Sequence, residues 1–166
     1  MSKTLVLIRH AHRDTTKREL DNGLSDKGRE QAKSIRRFFS ERFSPEDYKQ
    51  GLWFVASPKL RCMETLLPTA KGLDRQVDAH PDLDEQSSRE STAGLQARVQ
   101  RFLAEWERSK VALTVLCSHG DWLPLATKML IGLEQEHKKG SWLELEGQLG
   151  YLSLRWYVPT FKNFYK

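Results

Sequence analysis

The sequence has 166 residues, of which 39% are hydrophobic and 30% are charged, and it carries a formal net charge of +5. A chain of this length suits one domain with one core, and no apolar run approaches the roughly 20 residues needed to cross a bilayer. Because its 27 basic residues are scattered among 22 acidic ones without a dense basic stripe, we expect a single domain over residues 1–166 that binds neither nucleic acid nor a membrane.

The first predicted element is a strand at the N-terminus. Residues 3–9 read Lys-Thr-Leu-Val-Leu-Ile-Arg, and an apolar run without alternation is typical of a strand buried on both faces. Only Ser2 and Lys3 separate this run from Met1. We therefore expect no secretory signal and a cytoplasmic location.

Four more elements are predicted before residue 80. They are a helix from an N-cap at Ser25 to about residue 43, a strand over 52–56, a helix beginning at Ser57-Pro58 and running to about residue 71, and a short edge strand over 76–79. Serine is a preferred N-cap residue and proline suits the first helical position, which is why Ser57 and Pro58 predict a helix start.

The second half of the chain continues the alternation. It contains an irregular polar segment over 80–91, a helix over 92–108, a strand over 111–117, a helix opened by Gly120-Asp121 and running to about residue 131, and two antiparallel strands at 142–145 and 150–158. This order predicts an α/β fold, a three-layer sandwich with a mostly parallel central sheet and helices on both faces. The polar segment is the expected active-site loop.

Four residues stand just past the ends of predicted buried strands: Arg9, His10, Arg61 and His119. Open α/β sheets bind ligands at the carboxyl ends of their strands, so these side chains are expected to meet in one pocket. Guanidinium groups match phosphate oxygens, and a neutral imidazole nitrogen can accept a phosphoryl group covalently. The pattern indicates phosphoryl chemistry with His10 as nucleophile.

Such a reaction needs a proton for the leaving oxygen. A positioned carboxylic acid typically contributes roughly 100-fold to 10,000-fold to the rate. Glu85 in the polar segment is our predicted donor. Asp84 and Asp121 stay open as alternatives, because the sequence does not orient these side chains.

Six short motifs occur in a fixed order along most of the chain. They are Leu7-Ile-Arg9-His10-Ala11, Leu24-Ser25-Asp-Lys-Gly28-Arg-Glu-Gln31-Ala32, Ser57-Pro58-Lys-Leu-Arg61-Cys-Met-Glu-Thr65, Leu83-Asp-Glu85, Glu90-Ser91 with Arg98-Val99, and Ser118-His119-Gly120. In this order they resemble the motifs of the histidine phosphatase superfamily, the phosphoglycerate-mutase-like group. The resemblance implies a phosphoglycerate-mutase-like fold.

The same resemblance implies roles for individual residues. It implies that His10 is the nucleophile, that Arg9, Arg61 and His119 bind the phosphate, that Glu85 is the acid, and that neither a metal nor another cofactor takes part. The substrate it implies is a phosphorylated small molecule or a phosphoprotein.

Three departures from the family pattern bear on function. Ala11 stands where many members have glycine, a change that also occurs in the phosphohistidine phosphatase branch, while His12-Arg13 and Thr16 replace other residues that contact phosphate in relatives. The chain is also too short for the helices that mutases insert over the pocket. An open pocket favours a phosphatase over a mutase. A poor alkoxide leaving group needs the Glu85 proton most, so esters rank ahead of phosphohistidine on a protein.

Rival classes explain less of the sequence. His10-Ala-His12-Arg-Asp14 matches the His-x-His-x-Asp of zinc hydrolases, but the further ligands are missing and Arg61 has no role there. Cysteine phosphatases need arginine six residues after the cysteine, where this chain has a proline after Cys62 and a leucine after Cys117. A domain that keeps the anion pocket without turnover is the alternative from another class.

Overall fold

Strands and helices alternate along residues 2–161 and 164–165, the part of the chain described by this computed structural model. The strands are β1 (Lys3–Arg9), β2 (Leu52–Ala56), β3 (Asp78–Ala79), β4 (Leu113–Ser118), β5 (Trp142–Gln148) and β6 (Tyr151–Val158). The helices are α1 (Asp26–Arg42), α2 (Leu60–Gly72), α3 (Thr92–Arg108) and α4 (Trp122–Ile131), with short 3-10 helices at Pro45–Tyr48 and Pro81–Leu83.

The strands form one mixed sheet in the order β3-β2-β4-β1-β5-β6. The first four in this order are parallel, whereas β5 and β6 run antiparallel to their neighbours. The central strand β1 has a neighbour on each side, with Leu7 opposite Leu116 of β4 and Leu143 of β5. The predicted α/β architecture with a mostly parallel sheet is confirmed.

Helices cover both faces of the sheet, because successive strand side chains point to opposite faces. On one face Val6 and Ile8 pack with buried side chains of α1 and α2, such as Ile35 and Leu66. On the other face Leu5 and Leu7 pack with α3 and α4, and the fully buried side chains there include Phe102, Trp106 and Trp122. In the described residues, no helix combines the length and apolarity needed to span a membrane.

Helix starts show where local sequence rules apply. Ser25 caps α1 as predicted, with its hydroxyl accepting a hydrogen bond from the Gly28 N–H at 3.1 Å. The predicted start of α2 is wrong, because the helix begins at Leu60 with Lys59 as its N-cap. Ser57 lies before the helix, where its hydroxyl has other partners.

The parallel register brings the carboxyl ends of three strands together. His10, directly after β1, donates its backbone N–H to Ser118 O at 3.1 Å, and Ser57, directly after β2, donates to Cys117 O at 3.0 Å. Residues that follow β1, β2 and β4 therefore share one edge of the sheet. All four predicted pocket residues lie at this edge.

Candidate active site

Two buried imidazoles face each other at the carboxyl edge of the sheet. The ring centroids of His10 and His119 are 5.4 Å apart, and the two residues are only 5% and 3% exposed. Two segments separated by more than 100 residues meet here because β1 and β4 are neighbours. The structure thus places both histidines in one pocket.

The hydrogen bonds of His10 define its tautomer. Its Nδ1 lies 2.8 Å from the carbonyl oxygen of Ala11, and a carbonyl can only accept, so Nδ1 carries the proton. In the neutral ring Nε2 then holds a free lone pair. A fixed ring with an unprotonated Nε2 is the form needed for nucleophilic attack.

His119 is held by a chain of polar side chains. Its Nε2 lies 2.8 Å from Ser57 Oγ, and that hydroxyl lies 3.2 Å from Asp84 Oδ1. Because the carboxylate can only accept, Ser57 donates to Asp84 and accepts from His119. Nδ1, 3.4 Å from the guanidinium of Arg61, is then an acceptor in the neutral ring.

Both rings resist protonation in the free protein. Burial is the main cause that lowers the pKa of His10 to about 3 and that of His119 to about 3, and the neighbouring Arg61 and Arg9 lower both pKa values further. His119 lies 3.8 Å from both Asp84 and Glu85, but at neutral pH these are contacts of a neutral ring. Both imidazole rings are therefore neutral throughout the physiological pH range.

These low pKa values predict a loss of stability in mild acid. Each ring takes up a proton near pH 6.5 when unfolded and only near pH 3 when folded, so stability is full above about pH 6.5 and falls towards pH 3. The loss is about 1.4 kcal/mol per pH unit for each ring inside this window. Urea unfolding at pH 7, 6 and 5 measures the slope. His119→Gln should have a shallower slope than the wild type, and parallel slopes would contradict the assignment.

The two arginines supply the positive charge of the pocket. Arg61 is 3% exposed, and its Nη2 lies 2.7 Å from Glu85 Oε2, with Asp21 Oδ1 3.7 Å from Nη1. Arg9 donates from Nη1 to the carbonyl oxygen of His137 at 2.7 Å. Among the described residues, the buried Nε atoms of Arg9 and Arg61 have no acceptor. Incoming anion oxygens would add acceptors to this cation-rich site.

Gly120 makes room for the Arg9 side chain. A Cβ placed on this glycine would lie 2.8 Å from Cζ of Arg9 and 3.0 Å from its Nη2. Any larger residue therefore moves the guanidinium rather than backbone. This spacing links the glycine after His119 to the position of the Arg9 guanidinium.

Gly120→Ala is accordingly expected to impair binding more than folding. We expect kcat/KM for 4-nitrophenyl phosphate to fall about tenfold to a hundredfold, since one charge-assisted phosphate contact is displaced. Thermal unfolding should shift little because the clash falls on the end of a flexible side chain. Equal kcat/KM values for the variant and the wild type would contradict this function of the glycine.

The three candidate proton donors have different surroundings. Asp121 is occupied in capping, because its two oxygens accept from the backbone N–H groups of Trp122 at 2.8 Å and Gln86 at 2.7 Å. Asp84 accepts from Ser57 Oγ and, at 2.8 Å, from the N–H of Glu85. The Glu85 carboxylate lies 2.7 Å from Arg61 Nη2, so among the three candidates it is the one that contacts a guanidinium of the pocket.

The rival motifs have other uses in the structure. His12 contacts Ser25 Oγ through Nδ1 at 2.8 Å, while Asp14 accepts from the Thr16 N–H at 2.9 Å, so the His-x-His-x-Asp side chains take separate partners. In the described residues, no group of three or more His, Cys, Asp or Glu side chains is arranged so that it could hold a metal ion. Burial raises the pKa of the Cys62 thiol well above its ordinary value, which disfavours a thiolate.

Two supporting residues were missed at the level of sequence. Ser57 was interpreted as a helix cap, yet its hydroxyl bridges His119 and Asp84. Thr65 joins the turn after His10 to the start of α2, because its hydroxyl accepts from the Ala11 N–H at 3.0 Å and donates to Arg61 O at 2.6 Å. Both lie in the Ser-Pro-x-x-Arg-x-x-x-Thr motif, which was the available signal.

The family model described as "Histidine phosphatase superfamily (branch 1)" matches residues 5–90. No curated protein sequence gives a significant match.

Solved structures share the whole fold at low sequence identity. Alpha-ribazole phosphatase from Shigella flexneri has a TM-score of 0.76 at 17% identity, over 95% of this chain and 96% of that chain. Phosphoserine phosphatase from Entamoeba histolytica, in complex with 3-phosphoglyceric acid, gives 0.73 at 16% over 96% and 98%. A mycobacterial glucosyl-3-phosphoglycerate phosphatase gives 0.71 at 19% over 93% and 97%. At such identities the likeness establishes the fold.

Proposed function

The chain belongs to the histidine phosphatase superfamily (branch 1), and from this membership we propose that it is a metal-independent phosphatase acting through a phosphohistidine on His10. The observation that carries the proposal is the neutral His10 ring, held by the Ala11 carbonyl with Nε2 unprotonated, beside two guanidinium groups. These groups supply the positive charge that stabilises a transferring phosphoryl group.

The first step forms a covalent intermediate. Nε2 of His10 attacks phosphorus, a P–N bond forms, and the bond between phosphorus and the ester oxygen breaks. Glu85 gives its proton to the departing oxygen, so the alcohol leaves neutral. Arg9 and Arg61 neutralise the nonbridging oxygens during the transfer.

The second step regenerates the protein. Water attacks phosphorus, its proton passes to the Glu85 carboxylate, and the P–N bond breaks. Inorganic phosphate leaves, while His10 returns to its neutral form and Glu85 to its acid form. One carboxyl group therefore serves as acid and then as base.

Substrate binding changes the protonation of His119. A dianionic phosphate held by Arg61 brings negative charge close to Nδ1, and a nearby negative charge favours the imidazolium form. The protonated ring then donates from Nδ1 to the phosphate, while Nε2 continues to donate to Ser57 and, through it, faces the Asp84 carboxylate. His119 in this way adds a donor to the phosphate clamp.

Small phosphate esters are the favoured substrates. The relatives in the structural comparison are named for small phosphorylated molecules, and Glu85 suits the poor leaving group of an ester. A phosphohistidine on a protein is the second candidate, because Ala11 matches that branch of the family. An inactive phosphate-binding domain is the third. A cytoplasmic location remains part of the proposal.

Rapid quench with ³²P-labelled substrate tests the mechanism. Hydrolysis of 4-nitrophenyl phosphate in EDTA should proceed at the rate seen without it, with acid-labile and alkali-stable label on the protein. Turnover without label would refute the covalent step. Loss of activity in EDTA that zinc restores would favour the metal-hydrolase alternative. Phosphate binding without any turnover would favour the inactive domain.

Glu85→Gln tests the proton donor. We expect kcat/KM to fall about 100-fold or more for phenyl phosphate and far less for 4-nitrophenyl phosphate, whose leaving group needs no proton. Rates for a phosphohistidine protein should change little for the same reason. Glu107→Gln is the control, because Glu107 is exposed and remote from the pocket. Glu90→Gln is unsuitable, because Glu90 contacts Arg98. An equal decrease in kcat/KM for both aryl esters would show that Glu85 is not the proton donor.

A further inference from the structure

Four cations border the pocket on the side of the nucleophile segment. We call Arg13, Arg18, Lys27 and Lys139 the cationic rim. Within the part of the chain that the structure describes, none of them forms an ion pair. Several other surface cations on α1 do have a carboxylate partner, as Lys33 has Glu30.

Backbone contacts place Lys139 against the nucleophile. The N–H of Gly140, the next residue, donates to His10 O at 3.1 Å. The buried Gln31 amide accepts from the His12 N–H at 2.8 Å and donates to Lys139 O at 3.5 Å. Lys139 is therefore tied to the turn that follows β1.

The other members of the rim belong to the same surface. Arg13 lies three residues after His10, its backbone bridges to Leu24, and its Nη2 donates to the carbonyl oxygen of Arg18 at 3.4 Å. Lys27 stands in the first turn of α1, two residues after Ser25, which contacts His12. Arg13 is half-buried, whereas Arg18 and Lys27 are exposed.

The electrostatic environment of Lys139 is strongly positive. Burial lowers its pKa first, and Arg9 and the other three members of the rim lower it further. Cations gathered in this way raise each other's energy, and an anion bound among them relieves the repulsion.

We propose that the cationic rim binds a second anionic group, a carboxylate or a phosphate, carried by the substrate beyond its scissile phosphate. This inference rests on the proposed phosphatase function and narrows its substrate class. The substrates are phosphomonoesters with an additional negative charge, and esters with a neutral tail bind through the clamp alone.

A matched pair of substrates tests the rim. 3-Phosphoglycerate and glycerol 3-phosphate share the phosphate ester but differ in a carboxylate. We expect kcat/KM to favour 3-phosphoglycerate by about tenfold, and Lys139→Gln to remove that preference while changing glycerol 3-phosphate less than about twofold. Lys110→Gln, an exposed lysine remote from the pocket, is the control that should retain the preference.

A second pair identifies the carrier of the charge. It consists of phosphoseryl peptides that carry either aspartates or asparagines beside the phosphoserine. If Lys139 is needed for a preference for the aspartate peptide, and the two small esters show no preference, the rim binds protein substrates. Absence of preference in both pairs, or equal losses for charged and neutral tails in Lys139→Gln, overturns the inference. If 4-nitrophenyl phosphate is not hydrolysed at all, the proposed function itself fails.

An independent set of contacts concerns Arg98 of α3. Its Nε and Nη2 bind the Glu90 carboxylate at 2.6 and 2.7 Å. Its Nη1 donates to the carbonyl oxygens of Asp82 at 3.0 Å and Asp84 at 2.9 Å, and its Nη2 also donates to Glu85 O at 3.3 Å. One guanidinium thus holds the backbone of the loop that carries the proposed acid.

We infer that Arg98 is a positioning residue for Glu85. It does not reach the substrate, and its effect on the reaction passes through the loop geometry. Displacement of the Glu85 carboxyl group lowers the rate only for esters whose leaving group needs a proton. Loss of general structural support would lower the rates of all esters alike. This inference also rests on the proposed function.

Leaving-group dependence tests the positioning function. Arg98→Lys should lower kcat/KM about tenfold or more for phenyl phosphate and less than about threefold for 4-nitrophenyl phosphate. Added to Glu85→Gln, it should cause little additional loss. Equal losses for both esters, or full additivity, overturns the inference. If Glu85→Gln itself shows no leaving-group dependence, the proposed acid fails instead.

Discussion

His10→Ala is expected to lower kcat/KM for 4-nitrophenyl phosphate by about 10⁴-fold or more, with no label retained on the protein after quenching. The variant removes the only nitrogen in the proposed mechanism that bonds to phosphorus. Neither guanidinium group can replace it, because arginine has no lone pair to give at neutral pH. Any residual rate then comes from water attacking a substrate that the clamp still holds.

Phosphate binding separates loss of chemistry from loss of structure in this variant. Titration with inorganic phosphate should still give saturable binding to His10→Ala, since Arg9 and Arg61 are intact. His12→Ala provides a matched control, because this neighbouring imidazole contacts Ser25 and not His119. Retention of most of the wild-type rate by His10→Ala would end the covalent proposal.

Arg61→Ala should have the next largest effect, about 10³-fold or more on kcat/KM. The Arg61 side chain is only 3% exposed, and its guanidinium faces His119 and Glu85. Its loss therefore removes positive charge from the centre of the pocket. The Glu85 carboxylate also loses its 2.7 Å partner. We therefore expect a raised KM for phosphate esters together with a reduced kcat.

Arg61→Lys shows whether charge alone suffices. A lysine keeps one positive charge but lacks the planar fork, so we expect only partial recovery, about tenfold above the alanine variant. Arg75→Ala, an exposed arginine after α2, is the control for arginine loss. Full activity of Arg61→Lys would show that bidentate geometry is unimportant here.

Much of the fold followed from pattern and capping. A continuous apolar run identified β1, and the N-cap at Ser25 identified the start of α1. The predicted start of α2 was wrong, because the preference for serine at the N-cap and proline at the first helical position considers only local geometry. In the structure the Ser57 hydroxyl contacts His119, a partner 62 residues away.

The sequence predicted which residues of the site lie at the ends of the strands, but not the contacts that their side chains make. Placing Arg9, His10, Arg61 and His119 together required only the sheet edge, and the structure brings them together. The surroundings of Asp84 and Asp121 could not be predicted, because they depend on loop backbone atoms such as the Gln86 N–H. The tautomer of His10 likewise depends on a single acceptor, the carbonyl oxygen of Ala11.

The Thr65 hydroxyl connects the turn after His10 and the first turn of α2 through a single oxygen atom. One lone pair receives the N–H next to His10, and its proton goes to the carbonyl of Arg61. Thermal displacement of either segment is consequently transmitted to the other. In the proposed mechanism the residue that attacks phosphorus and a helix that binds the phosphate therefore move as one unit, which preserves the in-line approach of His10 Nε2.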